Sequence, residues 1–138
     1  GIVVADPNAG PAFGSPTVVT CLPAVGMNAA GVGQAIMSLT ADDDSVGIPR
    51  VFVSRHSLQA EGREDAIRRA TVPGRAGGYA HLVAQANRGA FTVETSATGH
   101  AVLETTAHTN HPLAPALAAV GHSSAGICTK LITTAGVI

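Results

Sequence analysis

Between Tyr79 and Glu104 the chain holds three strand-like runs with very little between them. Tyr79-Ala80-His81-Leu82-Val83-Ala84-Gln85-Ala86 leads into the turn Asn87-Arg88-Gly89, then Ala90 to Thr95, then the turn Ser96-Ala97-Thr98-Gly99, then His100 to Glu104. Connections this short join antiparallel neighbours, because a parallel crossover needs about a dozen residues or more. Any fold of this chain must therefore contain an antiparallel meander. In the middle run Phe91 and Val93 share one face and Thr92 and Glu94 the other. The second face reads as polar, so Glu94 is expected in solvent or in a cross-strand pair.

Upstream, residues 5–16 are rich in Pro, Gly and Ala and read as loop. The β-branched run Thr17 to Leu22, closed by Pro23, reads as a short strand. Ala24 to Gly33 carries Gly and Asn between apolar runs, a hairpin-type connection in which Asn28 is expected to take a turn conformation. Gly31 to Leu39 continues as strand. Asp42-Asp43-Asp44-Ser45 is an acidic turn before Gly47-Ile48-Pro49, which starts a helix with Pro in its first turn. Ile48, Val51, Phe52, Arg55 and Leu58 then recur at helical spacing. A second helix begins near Gly62-Arg63-Glu64, with acids early and bases late, and Pro73-Gly74 stops it. Residues 113–120 suit a short helix, and the tail from Gly121 is ambiguous. Strand, strand, helix, helix and three strands make an α+β chain with helices layered on a sheet.

A chain of 138 residues fits one domain. With no Trp, one Tyr and three Phe, its core must be built from Val, Ile, Leu and Ala. The net charge of −1 leaves no electrostatic footprint for nucleic acid. Arg63, Arg68, Arg69 and Arg75 interleave with Glu61, Glu64 and Asp65 and read as a solvated helix face. Cys21 and Cys128 are the two cysteines; without a C-x-x-C spacing they are not zinc ligands, and they read as buried thiols or as a single disulfide, the former being the commoner case. No apolar stretch reaches membrane-spanning length, and the first residues lack the charged region of a signal peptide, so the cytoplasm is the favoured compartment.

His108-Thr109-Asn110-His111-Pro112 is the most unusual stretch. Two histidines three apart suit a metal best on a helix, and Pro112 argues against one there, so no metal is expected. Asn110 is the better candidate: a loop at a strand end can hold a side-chain amide where an oxyanion will develop. Arg55, on the apolar stripe of the first helix, is expected either to snorkel or to pair with a carboxylate. His122-Ser123-Ser124 lacks a G-x-S-x-G elbow, Gly74-Arg75-Ala76-Gly77-Gly78 lacks the Lys of a phosphate loop, and cleavage before Cys128 leaves too short a peptide to fold.

Taken in order, several segments resemble the acyl-coenzyme A:6-aminopenicillanic acid acyltransferase family, typified by isopenicillin N acyltransferase. They are Gly26-Met27-Asn28-Ala29-Ala30-Gly31-Val32, Ser38-Leu39-Thr40, Asp42-Asp43-Asp44, Gly47-Ile48-Pro49-Arg50 with Arg55, Tyr79, Val93-Glu94 and His108-Thr109-Asn110-His111. The resemblance spans roughly residues 17 to 115 and implies an amino-terminal-nucleophile (Ntn) hydrolase: an αββα sandwich of two antiparallel sheets with helices outside. It implies a Cys nucleophile, exposed by autoproteolysis, that takes an acyl group from an amide or thioester and passes it to an amine or water. It assigns Asn110 alone to the oxyanion hole; His108, His111, Asn28 and Arg55 are the candidates for contact with a small acyl substrate, and no cofactor is expected.

The chain departs from the family at three places. Its nucleophile belongs well upstream of Gly26, and Cys21, after Thr20 in the expected strand, is a poor match. Ala29 stands at the family's Glu. Met37 stands at its Asn, and a thioether cannot donate to an oxyanion. The expectation is an incomplete domain over residues 1–138, the carboxyl-terminal portion of such an enzyme, completed by a missing amino-terminal segment or associating with itself. The alternative is a catalytically inactive, truncated relative that binds a small ligand or serves a structural role.

Overall fold

A computed structural model describes residues 1–121 of the chain. Seven strands form one antiparallel sheet in sequence order: β1 Ile2–Ala5, β2 Phe13–Pro16, β3 Gly26–Asn28, β4 Val32–Ser38, β5 Tyr79–Gln85, β6 Gly89–Thr95 and β7 His100–Leu103. Helices α1 Arg50–Ser57 and α2 Arg63–Ala70 lie between β4 and β5, and α3 Pro115–Ala118 follows β7. The fold is α+β, with the meander at its centre. Among the described residues there is one sheet and no helix long and apolar enough to cross a membrane.

The first three strands differ from expectation. Residues 5–16 contain β2, which pairs with β1 from Ala5↔Phe13 to Ile2↔Pro16. Pro16 is tolerated there because it closes a short strand near the sheet edge, where a missing amide costs little. Thr17 to Leu22 is a turn rather than a strand. Thr20 takes φ 75° and the Cys21 amide bonds back to the Val18 carbonyl at 3.1 Å, which turns the chain away from any ladder partner. Val18 and Val19 are exposed as a result, and so is Cys21, which is a free thiol rather than a buried one. Asn28 belongs to β3, and Gly31 takes the left-handed conformation of that hairpin at φ 78°. Gly26 also has positive φ, and a Cβ there would lie 2.0 Å from the Gly14 carbonyl oxygen of β2.

One face of the sheet is covered by the helices. Val32, Val83, Phe91 and Val93 pack there against Ala60, Ala66 and Ala70, with Ile67 at the margin. The small alanines let α2 approach closely, and the Arg63 guanidinium caps the Phe91 ring at 4.3 Å. The buried side of α1 is Val53, Ser54 and Ser57, while Phe52 points outward. That face is polar and hydrogen-bonded: Ser54 Oγ donates to the Ala24 carbonyl, and Gln34 Nε2 donates to Ser54 and Ala24 oxygens at 2.8–3.0 Å, while Gln34 Oε1 is buried without a partner among the described residues.

The opposite face carries Met37, Leu39, Ala80 and Leu82, with Ala35 against them. Here the segment after β7 turns back over the sheet. Further out, the same side of β1 to β3 is open. Val4 and Met27 both oppose Gly14 in register, so they share that side, and Ile2, Val4 and Met27 are 78%, 82% and 55% exposed. A trough of about 500 Å³ runs across this side over Met27, Gly33, Ala35, Ala84 and Ala90.

Candidate functional site

The site begins with β6. Alternation places Thr92 and Glu94 on the face away from the helices, and both are fully buried there. This overturns the expectation of a solvated Glu94. Thr92 Oγ1 donates to the Thr105 carbonyl at 3.3 Å, which lays the returning segment across β6. Glu94 then gathers three hydrogen bonds: from His108 Nε2 and the Leu113 amide to Oε1, both at 2.5 Å, and from the Ala114 amide to Oε2 at 3.0 Å. Burial alone would raise the Glu94 pKa. The bonds from His108 and the two amides outweigh it and hold the carboxyl below its ordinary value.

Residues 109–112 are thereby looped out between two anchors on one carboxylate. At the loop's centre, Asn110 Nδ2 donates to the Ser38 carbonyl at the end of β4, 3.1 Å away. One hydrogen of that amide is engaged, and the group retains a second. Met37, the preceding residue on β4, is buried beside Leu39 and Leu82 and offers no polar atom.

The remaining candidates do not converge on Asn110 as one cluster. His108 is buried, with Nε2 on Glu94 and Nδ1 2.5 Å from the Thr109 carbonyl, so neither nitrogen is free for a ligand. His111 is exposed, with Nδ1 2.9 Å from Thr109 Oγ1. The two histidines thus diverge, and among the described residues no group of three His, Cys, Asp or Glu could hold a metal. Asn28 is filled by the backbone. Its Nδ2 donates to the Leu58 and Ala60 carbonyls, both at 2.8 Å, and its Oδ1 accepts from the Ala30 and Val32 amides at 3.0 and 3.1 Å. Arg55 stacks on the Phe13 ring at 3.9 Å, and its Nη1 is buried without a hydrogen-bond partner among the described residues. Burial pushes its pKa down.

Two further polar groups went unread in the sequence. Arg75, grouped there with the solvated bases, is buried and donates to the Val72, Ser96 and Gly99 carbonyls at 2.7–3.2 Å. Its small neighbours, Gly74 and Ala76-Gly77-Gly78, were the signal that backbone approaches closely here. Asp43 accepts from Ser96 Oγ, Thr98 Oγ1 and the Ala97 and Thr98 amides at 2.5–3.3 Å, which ties the acidic turn to the β6–β7 turn. Burial opposes ionisation, but these bonds, Thr98 foremost, bring its pKa down to about 2. The other bases fit the expected helix surface: Arg63 pairs with Glu104, and Arg68 and Arg69 pair with Asp65. His122, Ser123, Ser124 and Cys128 lie outside the described residues.

No curated protein sequence matches the chain. A family model does, over residues 12–124, from the Gly-rich start of β2 past the His108–His111 loop, and its description is acyl-coenzyme A:6-aminopenicillanic acid acyl-transferase. The match covers most of the chain and includes every segment that carried the resemblance. The chain belongs to the acyl-coenzyme A:6-aminopenicillanic acid acyl-transferase family.

Proposed function

We propose that this chain is the oxyanion-side portion of an Ntn-type acyltransferase or amidohydrolase, whose Cys nucleophile comes from a segment outside residues 1–138. The observation that carries the reading is Asn110: its amide stands at the end of β4, with one hydrogen uncommitted to Ser38. In this mechanism a thiolate attacks the carbonyl carbon of an amide or thioester. The carbonyl π electrons move onto oxygen, and the Asn110 N–H stabilises the oxyanion. Collapse restores the carbonyl and expels an amine, which takes a proton, or a thiolate. An amine or water then attacks the acyl-enzyme and releases the Cys.

The uncovered sheet face supports the same reading. A sheet with helices on one side and exposed Ile2, Val4 and Met27 on the other suits a second sheet packed about 10 Å away. A second sheet there would complete an αββα sandwich and bring a nucleophile over the side where the Asn110 loop lies. Peptide mass mapping tests this, in protein from the natural source treated with an acyl-coenzyme A or activated acyl-amide donor. An acyl group on a Cys outside residues 1–138 fits; one on Cys21 or Cys128 overturns the assignment.

A second reading, a catalytically inactive relative with a small-ligand or structural role, is favoured by two observations. Asn110 already bonds the Ser38 carbonyl, and Met37 removes a polar group beside it. That reading predicts no acyl adduct on any segment of the natural protein.

A further inference from the structure

Glu94 and His108 are a fully buried pair that the acyl-transfer steps above do not use. Their arrangement has an unusual economy. One carboxylate binds the residue before the Thr109–Pro112 loop through its ring, and the two residues after it through their amides. Four residues, 109–112, therefore close on a single anchor set on β6. The ring's other nitrogen meets the Thr109 carbonyl, which can only accept. Both ring nitrogens are thus engaged, and a hydrogen bond to the Glu94 carboxylate inside the protein is stronger than its counterpart in water.

We propose that Glu94 and His108 are positioning residues for Asn110: together they clasp the loop so that the Asn110 amide is held at the end of β4. This rests on the reading of Asn110 as the oxyanion donor and adds the device that aims it. The Ser38 carbonyl alone offers one hydrogen bond to one rotatable side chain. The clasp restrains the backbone on both sides of that side chain. Neither residue touches substrate, and neither is a catalytic residue.

The test uses the 138-residue chain and nitrogen NMR. In the wild type the Asn110 carboxamide protons should exchange slowly. In Glu94→Gln they should exchange at least about tenfold faster while the β5 and β6 amides keep their protection, as a local opening requires. Unchanged Asn110 exchange in a folded Glu94→Gln chain would overturn the proposal. If that variant does not fold, His108→Gln keeps Glu94 and its two amide donors. Partial acceleration at Asn110 is then expected, and none would sink the idea. These readouts involve no turnover, so an Asn110→Ala enzyme of undiminished rate would remove the oxyanion reading without touching them.

Discussion

His81 is the group whose removal should change the protein's acid stability most plainly. It lies on the helix-covered face of β5, opposite Ile36 and Val93 in register, and is fully buried with Nδ1 unpartnered. Burial, helped by the nearby Arg75 cation, brings its pKa down to about 3 from an ordinary 6.5. The sign follows from linkage. Below pH 6.5 the unfolded chain takes up a proton that the folded chain refuses until about pH 3, so stability falls as pH falls through that window. Integrating the difference gives a loss of about 2 kcal/mol between pH 7.5 and pH 5, rising to about 4 kcal/mol near pH 3. Leu fills a similar volume and carries no proton. Urea unfolding of wild type and His81→Leu, followed by circular dichroism at several pH values, checks this. Whatever their offset at pH 7.5, the difference should move by about 2 kcal/mol in favour of the variant by pH 5. Parallel curves over that range would refute the reasoning, because they would mean that folded His81 takes up its proton as readily as the unfolded residue.

Two other substitutions have defined outcomes. Asn28→Ala leaves two carbonyls and two amides short of a partner between the β3–β4 turn and the end of α1, and should cost about 3 kcal/mol in urea unfolding with the fold retained. Asp43→Asn should weaken the tie between the acidic turn and the β6–β7 turn. The depressed carboxyl contributes stability that is present above its ordinary pKa of 3.8 and is lost as pH falls toward 2, so the variant should be less stable at neutral pH by about 1–2 kcal/mol after solvent screening, with the gap closing below pH 3.8.

The half of the fold that was legible in the sequence is the half whose turns are chemically marked. Asn87 and Gly89 both take positive φ, and the β5–β6 hairpin falls where these residues require. The strands before it were obscured by the same chemistry. Gly and Pro crowd β2, and their turn preference hides a strand that is held by β1 and β3 rather than by its own propensity. Conversely, the β-branched Thr17 to Thr20 run pairs only at Thr17, which exchanges backbone hydrogen bonds with Gly1, and the turn at Thr20 leaves the propensity of the rest unexpressed. Helix α1 was placed well, but its buried side was misjudged. Periodicity counts apolar residues, and Ser54 and Ser57 are buried because Gln34, Ala24 and Ala66 supply hydrogen bonds that only the tertiary fold assembles.

The same limit governs the site. Asn110 was singled out because an amide in a rigid loop is a recognisable oxyanion donor. Strand alternation alone puts Glu94 in solvent or in a cross-strand pair. Alternation did place it on the face opposite Phe91 and Val93, but that face is covered by the segment that Glu94 itself pins down. Only the joint presence of Glu94 and His108 in the family's order of motifs hinted that they belong together. Arg55 kept part of its expectation, since it lies along apolar surface, yet its charge rests on a ring and not in water.

The role proposed for Asn110 is donation to the oxyanion that develops during acyl transfer. It is tested most directly by steady-state kinetics on the protein that carries its nucleophile, with wild type and Asn110→Ala compared on one acyl donor. In the variant kcat should be lower by about 10²–10³, with KM changed by no more than a few-fold, as for the loss of one preorganised oxyanion donor. An Asn110→Ala enzyme with kcat close to that of wild type would contradict it.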